Sequence, residues 1–199
     1  DSTWYLQATE RLVEIVQRLS MARDLGAVMT VVRSAARSLT GADGATFVLR
    51  ENGMCYYADE DAIAPLWKGM RFPMESCISG WSMLHRQAAA IPEIYADARI
   101  PAEAYHPTFV KSLAMVPIRS LDPVGAIGVY WATHHEADAE QVRVLQALAD
   151  STAVAMENIR IYTELDRRVR ERTRELEEAN EAVRNLLLLD ELTGLYNRR

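Results

Sequence analysis

The side chains able to do chemistry in this chain are few. Two cysteines, Cys55 and Cys77, and four histidines, His85, His106, His134 and His135, are the soft ligands and nucleophiles. A structural zinc needs clustered Cys and His, and the two cysteines stand 22 positions apart. A haem iron needs an axial ligand; His85 and His106 fall in the irregular stretch 60–110, but a lone histidine is more often not a ligand. His134-His135 falls where a strand passes to a helix, which places it at the surface. Ser79-Gly80 lacks the Gly-x-Ser-x-Gly elbow of a serine nucleophile. There is no Walker loop and no Gly-x-Gly-x-x-Gly. The residues therefore do not compose a catalytic constellation, and no enzyme activity is expected of this segment.

The elements that would position these residues are legible from periodicity. A first helix over 3–21 carries Leu6, Leu12, Val13, Val16 and Leu19 at helical spacing. Asp24 is placed to cap a second helix over 25–40, with Leu25, Val28, Met29, Val32, Ala36 and Leu39 as its apolar face and Gly41 just past its end. Ala45 to Arg50 and Met54 to Ala58 flank Glu51-Asn52-Gly53, a hairpin signal. Leu113 to Arg119 and Val124 to Thr133 form a second pair around Leu121-Asp122-Pro123. Between the pairs, residues 60–110 are irregular and hold five of the seven prolines. A short helix over 76–86 and a strand over 88–91 are expected within them. Asp138 with Gln141 resembles a capping box. It opens a helix whose stripe is Val142, Leu145, Leu148, Ala149, Thr152, Ala155, Met156 and Ile159. Antiparallel pairs flanked by helices predict an α+β domain around one sheet.

Composition changes near Ile161. Beyond it, Tyr162 to Asn185 has no Gly or Pro and is dominated by Arg and Glu. Leu165, Val169, Arg172, Leu176, Ala179, Val183, Leu186 and Asp190 follow a four-three spacing, a heptad seam. A helix this polar is marginal alone in water, so a homodimer through a parallel coiled coil is expected. Arg172 and Asp190 on the seam cost stability and can fix register.

Charge and composition exclude other classes. The 199 residues carry a net charge of −6 with 49% apolar residues. That balance argues against nucleic-acid binding by phosphate neutralisation. No run of 18 apolar residues and no secretory signal is present, so no membrane association is expected of this segment. Two cysteines fit a reduced, cytoplasmic compartment.

Residues 190–199, Asp-Glu-Leu-Thr-Gly-Leu-Tyr-Asn-Arg-Arg, resemble the pattern Asp-x-Leu-Thr-Gly-Leu-x-Asn-Arg-Arg that opens GGDEF domains, the diguanylate cyclase family. Glu171-Arg172-Thr173 resembles the signature of the signalling helix that joins bacterial sensor and output domains. The resemblance implies a parent protein that condenses two GTP into cyclic di-GMP. The metal-binding aspartate and the Gly-Gly-Asp/Glu-Glu-Phe loop do not occur here, so this segment should have no cyclase activity.

Residues 24–160 resemble a GAF domain. The resembling pieces are Asp24 to Leu39, Gly44-Ala45-Thr46-Phe47-Val48-Leu49, Ser76-Cys77-Ile78-Ser79-Gly80-Trp81, Ala90-Ile91-Pro92-Glu93-Ile94, Ser112 to Ile118 and Val124 to Tyr130. The family fold implies an antiparallel sheet of five or six strands with terminal helices on one face and a ligand cavity on the other. Residues 60–110 then become the cavity wall, and Phe72, Cys77, Trp81, Tyr95, Tyr105 and Phe109 are its candidate ligand contacts, for a small molecule of unknown identity. Bilin-binding relatives often attach chromophore through a Cys followed by His; Cys55 precedes Tyr56 and Cys77 precedes Ile78. Covalent bilin and haem are thus both disfavoured as cofactors. The reading divides the chain into a helix (1–23), a GAF-like sensor (24–160), a signalling coiled coil (161–189) and the start of a GGDEF domain (190–199). The competing reading is a constitutive dimerisation module with a collapsed cavity.

Overall fold

The computed structural model describes the backbone of residues 2–188; the side chain of Leu186 and residues 190–199 lie outside the described residues. The chain divides into two compact units, residues 1–157 and 158–199.

In the first unit, α1 (Ser2–Ser20) packs on α2 (Leu25–Thr40). The buried stripe of α1 is Ala8, Ile15 and Leu19, with Leu12 half-buried. Val13 and Val16, assigned to that face by spacing, are instead 56% and 40% exposed. Asp24 caps α2 as expected, its Oδ1 accepting the Ala27 amide at 2.8 Å. Gly41 ends the helix at φ 65°, its amide bonded to the Arg37 carbonyl. A cap of this kind is worth about 1 kcal/mol.

Six strands form one antiparallel sheet in the order β3-β2-β1-β6-β5-β4. They are β1 (Gly44–Glu51), β2 (Met54–Ala62), β3 (Arg71–Pro73), β4 (Ala89–Ile91), β5 (Ser112–Ile118) and β6 (Gly125–Trp131). The β1–β2 turn has Asn52 and Gly53 at φ 50° and 77°, the conformation for which Asn-Gly is chosen. A bulge interrupts this pair: Phe47 faces Asp59, but Val48 faces Tyr57. The extra residue, Ala58, inverts the alternation of β2 beyond it. Cys55 and Tyr57 therefore share a face with Glu60, while Asp59 turns to the side of α2. There it meets Arg33 Nε at 2.8 Å.

Every residue of β5 and β6 is buried, so the centre of the sheet is covered on both faces. Phe47, Val116, Ile127 and Val129 lie on the face where α2 crosses β1, β2 and β6. Val48, Tyr57, Leu113, Met115 and Tyr130 face the other way, into a core completed by residues 67–110. That second layer contains α3 (Ile78–His85) and the single turn α4 (Ala102–Tyr105).

The last helix, α5, runs from Ala139 to Leu188. Its start is a reciprocal cap: Gln141 N–H donates to Asp138 Oδ1 (2.8 Å) and Asp138 N–H to Gln141 Oε1 (3.2 Å). Within the first unit it buries Val144, Leu145, Leu148, Ala149, Thr152 and Ala155. In the second unit the helix is clothed in ion pairs such as Arg167–Glu171 (2.6 Å) and Arg168–Glu164 (2.6 Å). Hydrogen bonds from Arg167 and Arg168 hold the Glu164 carboxyl down at about 2. The fold is thus α+β, with a six-stranded antiparallel sheet and a long C-terminal helix. Among the described residues no helix is long and apolar enough to cross a membrane.

Candidate functional site

The second layer closes on Trp67. Its ring is 4% exposed and meets the edges of Tyr105, Tyr130 and Tyr57 at centroid distances of 4.7, 5.4 and 5.5 Å. Its indole N–H donates to the Ala104 carbonyl at 3.0 Å. Glu60 seats the loop that carries it. One carboxylate accepts the backbone amides of Leu66, Trp67 and Lys68, each at 2.9 Å. Charge-assisted bonds of this type are roughly twice as strong as neutral ones. Lys68 Nζ in turn reaches Asp59 Oδ1 at 2.7 Å. The bulge in β2 makes this possible, because it sends Glu60 to one face and Asp59 to the other.

Below Trp67 runs a buried polar line. Tyr57 Oη and Ser79 Oγ are 3.1 Å apart, Ser79 Oγ and Cys77 Sγ 3.3 Å, and Thr46 Oγ1 and Tyr130 Oη 2.9 Å. Burial pushes the Tyr57, Tyr105 and Tyr130 phenols above their usual range. Cys77 is the residue from which α3 starts, and its Sγ meets Ser79 Oγ and the Pro73 carbonyl at 3.3 and 3.5 Å. The neighbouring Cys55 thiol, the Ser79 hydroxyl and the Gly80 and Ser79 amides hold the Cys77 thiol below its usual range against the opposing effect of burial. The neighbouring Cys77 thiol and burial push Cys55 up. Gly80 permits the close approach of α3: a Cβ there would lie 1.9 Å from the Met74 carbonyl oxygen.

Of the six sequence-predicted contacts, Cys77 and Tyr105 are buried in this core, and Phe72, Trp81 and Phe109 are partly buried against it. Phe72 packs edge-on against Tyr57 at 5.5 Å. It also lines a groove of about 270 Å³ with Leu66, Trp67, Met70, Ala104 and Thr108. Trp81 lies under the Arg99 guanidinium (4.3 Å) and stacks on His85 (4.6 Å). Tyr95 is 44% exposed and stacks on His106 at 5.3 Å. Trp81 and Tyr95 do not line the groove. His134 pairs with Glu93 at 2.8 Å and His135 bonds Gln141 at 3.0 Å. Among the described residues no three Cys, His, Asp or Glu side chains gather as a metal site.

Sequence reasoning missed Glu60, Tyr57 and Tyr130. The alternation of β2 and β6 was the available signal for the two tyrosines. Nothing local signals Glu60, whose partners sit six to eight positions on and whose face depends on the bulge.

The fold is matched by known proteins. The family model described as GAF domain matches residues 22–157. The chain belongs to the GAF domain family. Solved structures agree on the fold. The GAF domain of a phosphoenolpyruvate-protein phosphotransferase from Coxiella burnetii superposes with a TM-score of 0.71 at 13% identity, covering 80% of this chain and 98% of that one. The free methionine-R-sulfoxide reductase of Neisseria meningitidis gives 0.69 at 16%, covering 79% and 93%. The GAF-B domain of DevS from Mycobacterium smegmatis gives 0.58 at 19%, covering 72% and 98%. No curated protein matches the sequence. The GAF domain is a sensory and regulatory fold, and in this one the interior of the second layer is filled by the ring of Trp67.

Proposed function

We propose that this GAF domain is the regulatory input module of a diguanylate cyclase, acting through a dimeric coiled coil on a GGDEF domain that makes cyclic di-GMP from GTP. The observation that carries the reading is the apolar stripe of α5. Leu165, Val169, Leu176 and Val183 are 51%, 62%, 64% and 53% exposed in a single copy, at the heptad spacing read from the sequence. Ala179 shares the stripe and Arg172 interrupts it, paired with Glu175 at 2.9 Å. A second copy of the same helix covers such a stripe. It runs toward the Asp190–Arg199 string that resembles the opening of a cyclase domain. Signalling then works by population shift: a ligand or partner that favours one packing of the second layer favours one alignment of the paired helices, by no more than its differential affinity.

The packing of Trp67 favours a second reading, constitutive dimerisation without a ligand. A small molecule that bound beneath the groove would have to displace the Trp67 ring and loosen the grip of Glu60 on residues 66–68. One experiment separates the readings. The chain is joined to an active GGDEF domain, and cyclic di-GMP synthesis is measured across a nucleotide and metabolite panel. The same fusion carrying Leu176→Arg is measured alongside. Loss of output in Leu176→Arg supports the dimeric linker; unchanged output refutes it. A compound that changes output and also raises the melting temperature supports sensing, and a panel without such a compound supports the constitutive reading.

A further inference from the structure

The groove beside Trp67 lies outside the layer that the ring fills. It runs between the loop 65–72 and the turn of α4, with Leu66, Met70 and Phe72 on one side and Glu103, Ala104 and Thr108 on the other. Its volume of about 270 Å³ is just under the ~300–1,000 Å³ of pockets for drug-sized molecules. That is room for one ring or a short alkyl chain. Both walls are fixed before anything enters. Glu60 holds the amides of residues 66–68, and Lys68 Nζ ties the same loop to Asp59 at 2.7 Å. Across the groove the Trp67 indole pins the Ala104 carbonyl, and Thr108 Oγ1 donates to the Tyr105 carbonyl at 2.7 Å. A preformed site loses less ordering entropy on binding.

The hydrogen-bonding groups of these walls select the occupant. The N–H donors are largely spent. Three loop amides go to Glu60, the indole N–H to Ala104, the Met70 amide to the Trp67 carbonyl and the Thr108 amide to the Tyr105 carbonyl. Pro65 and Pro107, which also line the groove, have no N–H. None of the lining residues is Lys, Arg or His. The cations adjacent in sequence are engaged elsewhere, Lys68 with Asp59 and Arg71 with Glu51 and the Tyr56 ring. His106 is stacked on Tyr95.

What the groove offers is acceptors. The Ala104 carbonyl keeps a second lone pair. The Glu103 carboxylate is exposed and, among the described residues, without an ion pair. A phosphate or carboxylate ligand would find no cation here and would face the charge of Glu103. A molecule with an apolar body and a cationic N–H donor at one end is matched at both ends.

We propose that this groove binds a small primary ammonium ion bearing one ring or short alkyl chain. Its apolar part lies against Leu66, Met70 and Phe72, and its ammonium group between the Glu103 carboxylate and the Ala104 carbonyl. Trp67 stays in place as the floor of the site. The inference rests on the groove alone. It needs neither the coiled coil nor the cyclase, so its failure leaves that reading standing.

The test uses the whole chain with isotope-labelled methionine methyls, read by NMR at neutral pH. Met70 is 49% exposed at the groove and is the reporter, its signal assigned by its loss in Met70→Leu. Phenethylammonium chloride should shift the Met70 methyl saturably. Phenethyl alcohol, the uncharged counterpart, should bind about two- to fivefold more weakly, the range an exposed ion pair allows. Hydrocinnamate, the anionic counterpart, should bind more weakly still. In Glu103→Gln the ammonium ion and the alcohol should bind equally, and in Glu103→Lys the anion should bind first. No saturable shift at Met70, equal affinity for the three probes, or a preference for the cation that survives Glu103→Gln overturns the proposal. Should either Glu103 variant fail to fold, the ranking of the three probes by the native chain decides alone.

Discussion

Trp67→Ala tests how the second layer is built. In the native chain the ring is 4% exposed, meets three tyrosine edges and donates one hydrogen bond. Truncating a buried aromatic to alanine costs about 3–5 kcal/mol, transfer and cavity terms together. The freed Ala104 carbonyl adds little, because it borders the groove and water can reach it. For a chain of this size each kcal/mol moves the melting point by about 2–4 °C, so the loss should be roughly 6–20 °C. The assay is thermal unfolding followed by circular dichroism, with urea unfolding in parallel. Indole should refill the cavity, and tenfold excess over its dissociation constant should restore about 1.4 kcal/mol. A variant that melts within about 2 °C of the native chain would refute the claim that this ring is the centre of the layer. A variant that is destabilised but ignores indole would show that the layer collapses rather than leaving a cavity.

Three further outcomes follow from other contacts. Gly80→Ala forces its new methyl against the Met74 carbonyl; the loss in urea unfolding should exceed the roughly 0.5–3 kcal/mol of ordinary substitutions. Arg172→Leu completes the apolar stripe of α5, and sedimentation equilibrium should show tighter association, whereas unchanged association would place the interface elsewhere. Burial raises the phenols of Tyr57, Tyr105 and Tyr130, so the unfolded chain releases those protons first and stability falls as pH rises above the ordinary tyrosine value near 10. Absorbance at alkaline pH should show these three of the eight tyrosines ionising only as circular dichroism reports unfolding; early ionisation of all eight would contradict their burial.

Much of this fold was legible in local signals. Asp24, Gly41, Asn52-Gly53 and the Asp138–Gln141 box each act at their own position, and each marks an element boundary within a residue or two. The GAF resemblance rested on the order of short pieces, and the family match confirms it over residues 22–157. What failed depended on distant partners. Val13 and Val16 satisfy the helical period of α1, but α2 selects the stripe through Ala8, Ile15 and Leu19. The strand β3 is three residues long, too short for a period to show. Strict alternation would have set Asp59 beside Tyr57, and only the bulge opposite Phe47 and Val48 turns it away. The aromatic wealth of residues 67–109 was plain, yet composition does not tell a cavity lining from a filled core. Trp67 decides that locally by its own packing.

The central claim is that two copies pair through parallel C-terminal helices. A nitroxide attached at Val183→Cys in a dimeric sample gives the most direct measurement, with sedimentation equilibrium fixing the mass. Parallel helices in register put the two Val183 backbones about 10 Å apart, the ordinary interaxial distance. An antiparallel pair centred near Leu176 separates them by roughly 20 Å or more, at 1.5 Å per residue. A short distance in a species of twice the chain mass is the predicted result; a monomer at high concentration, or a long distance in the dimer, contradicts the account.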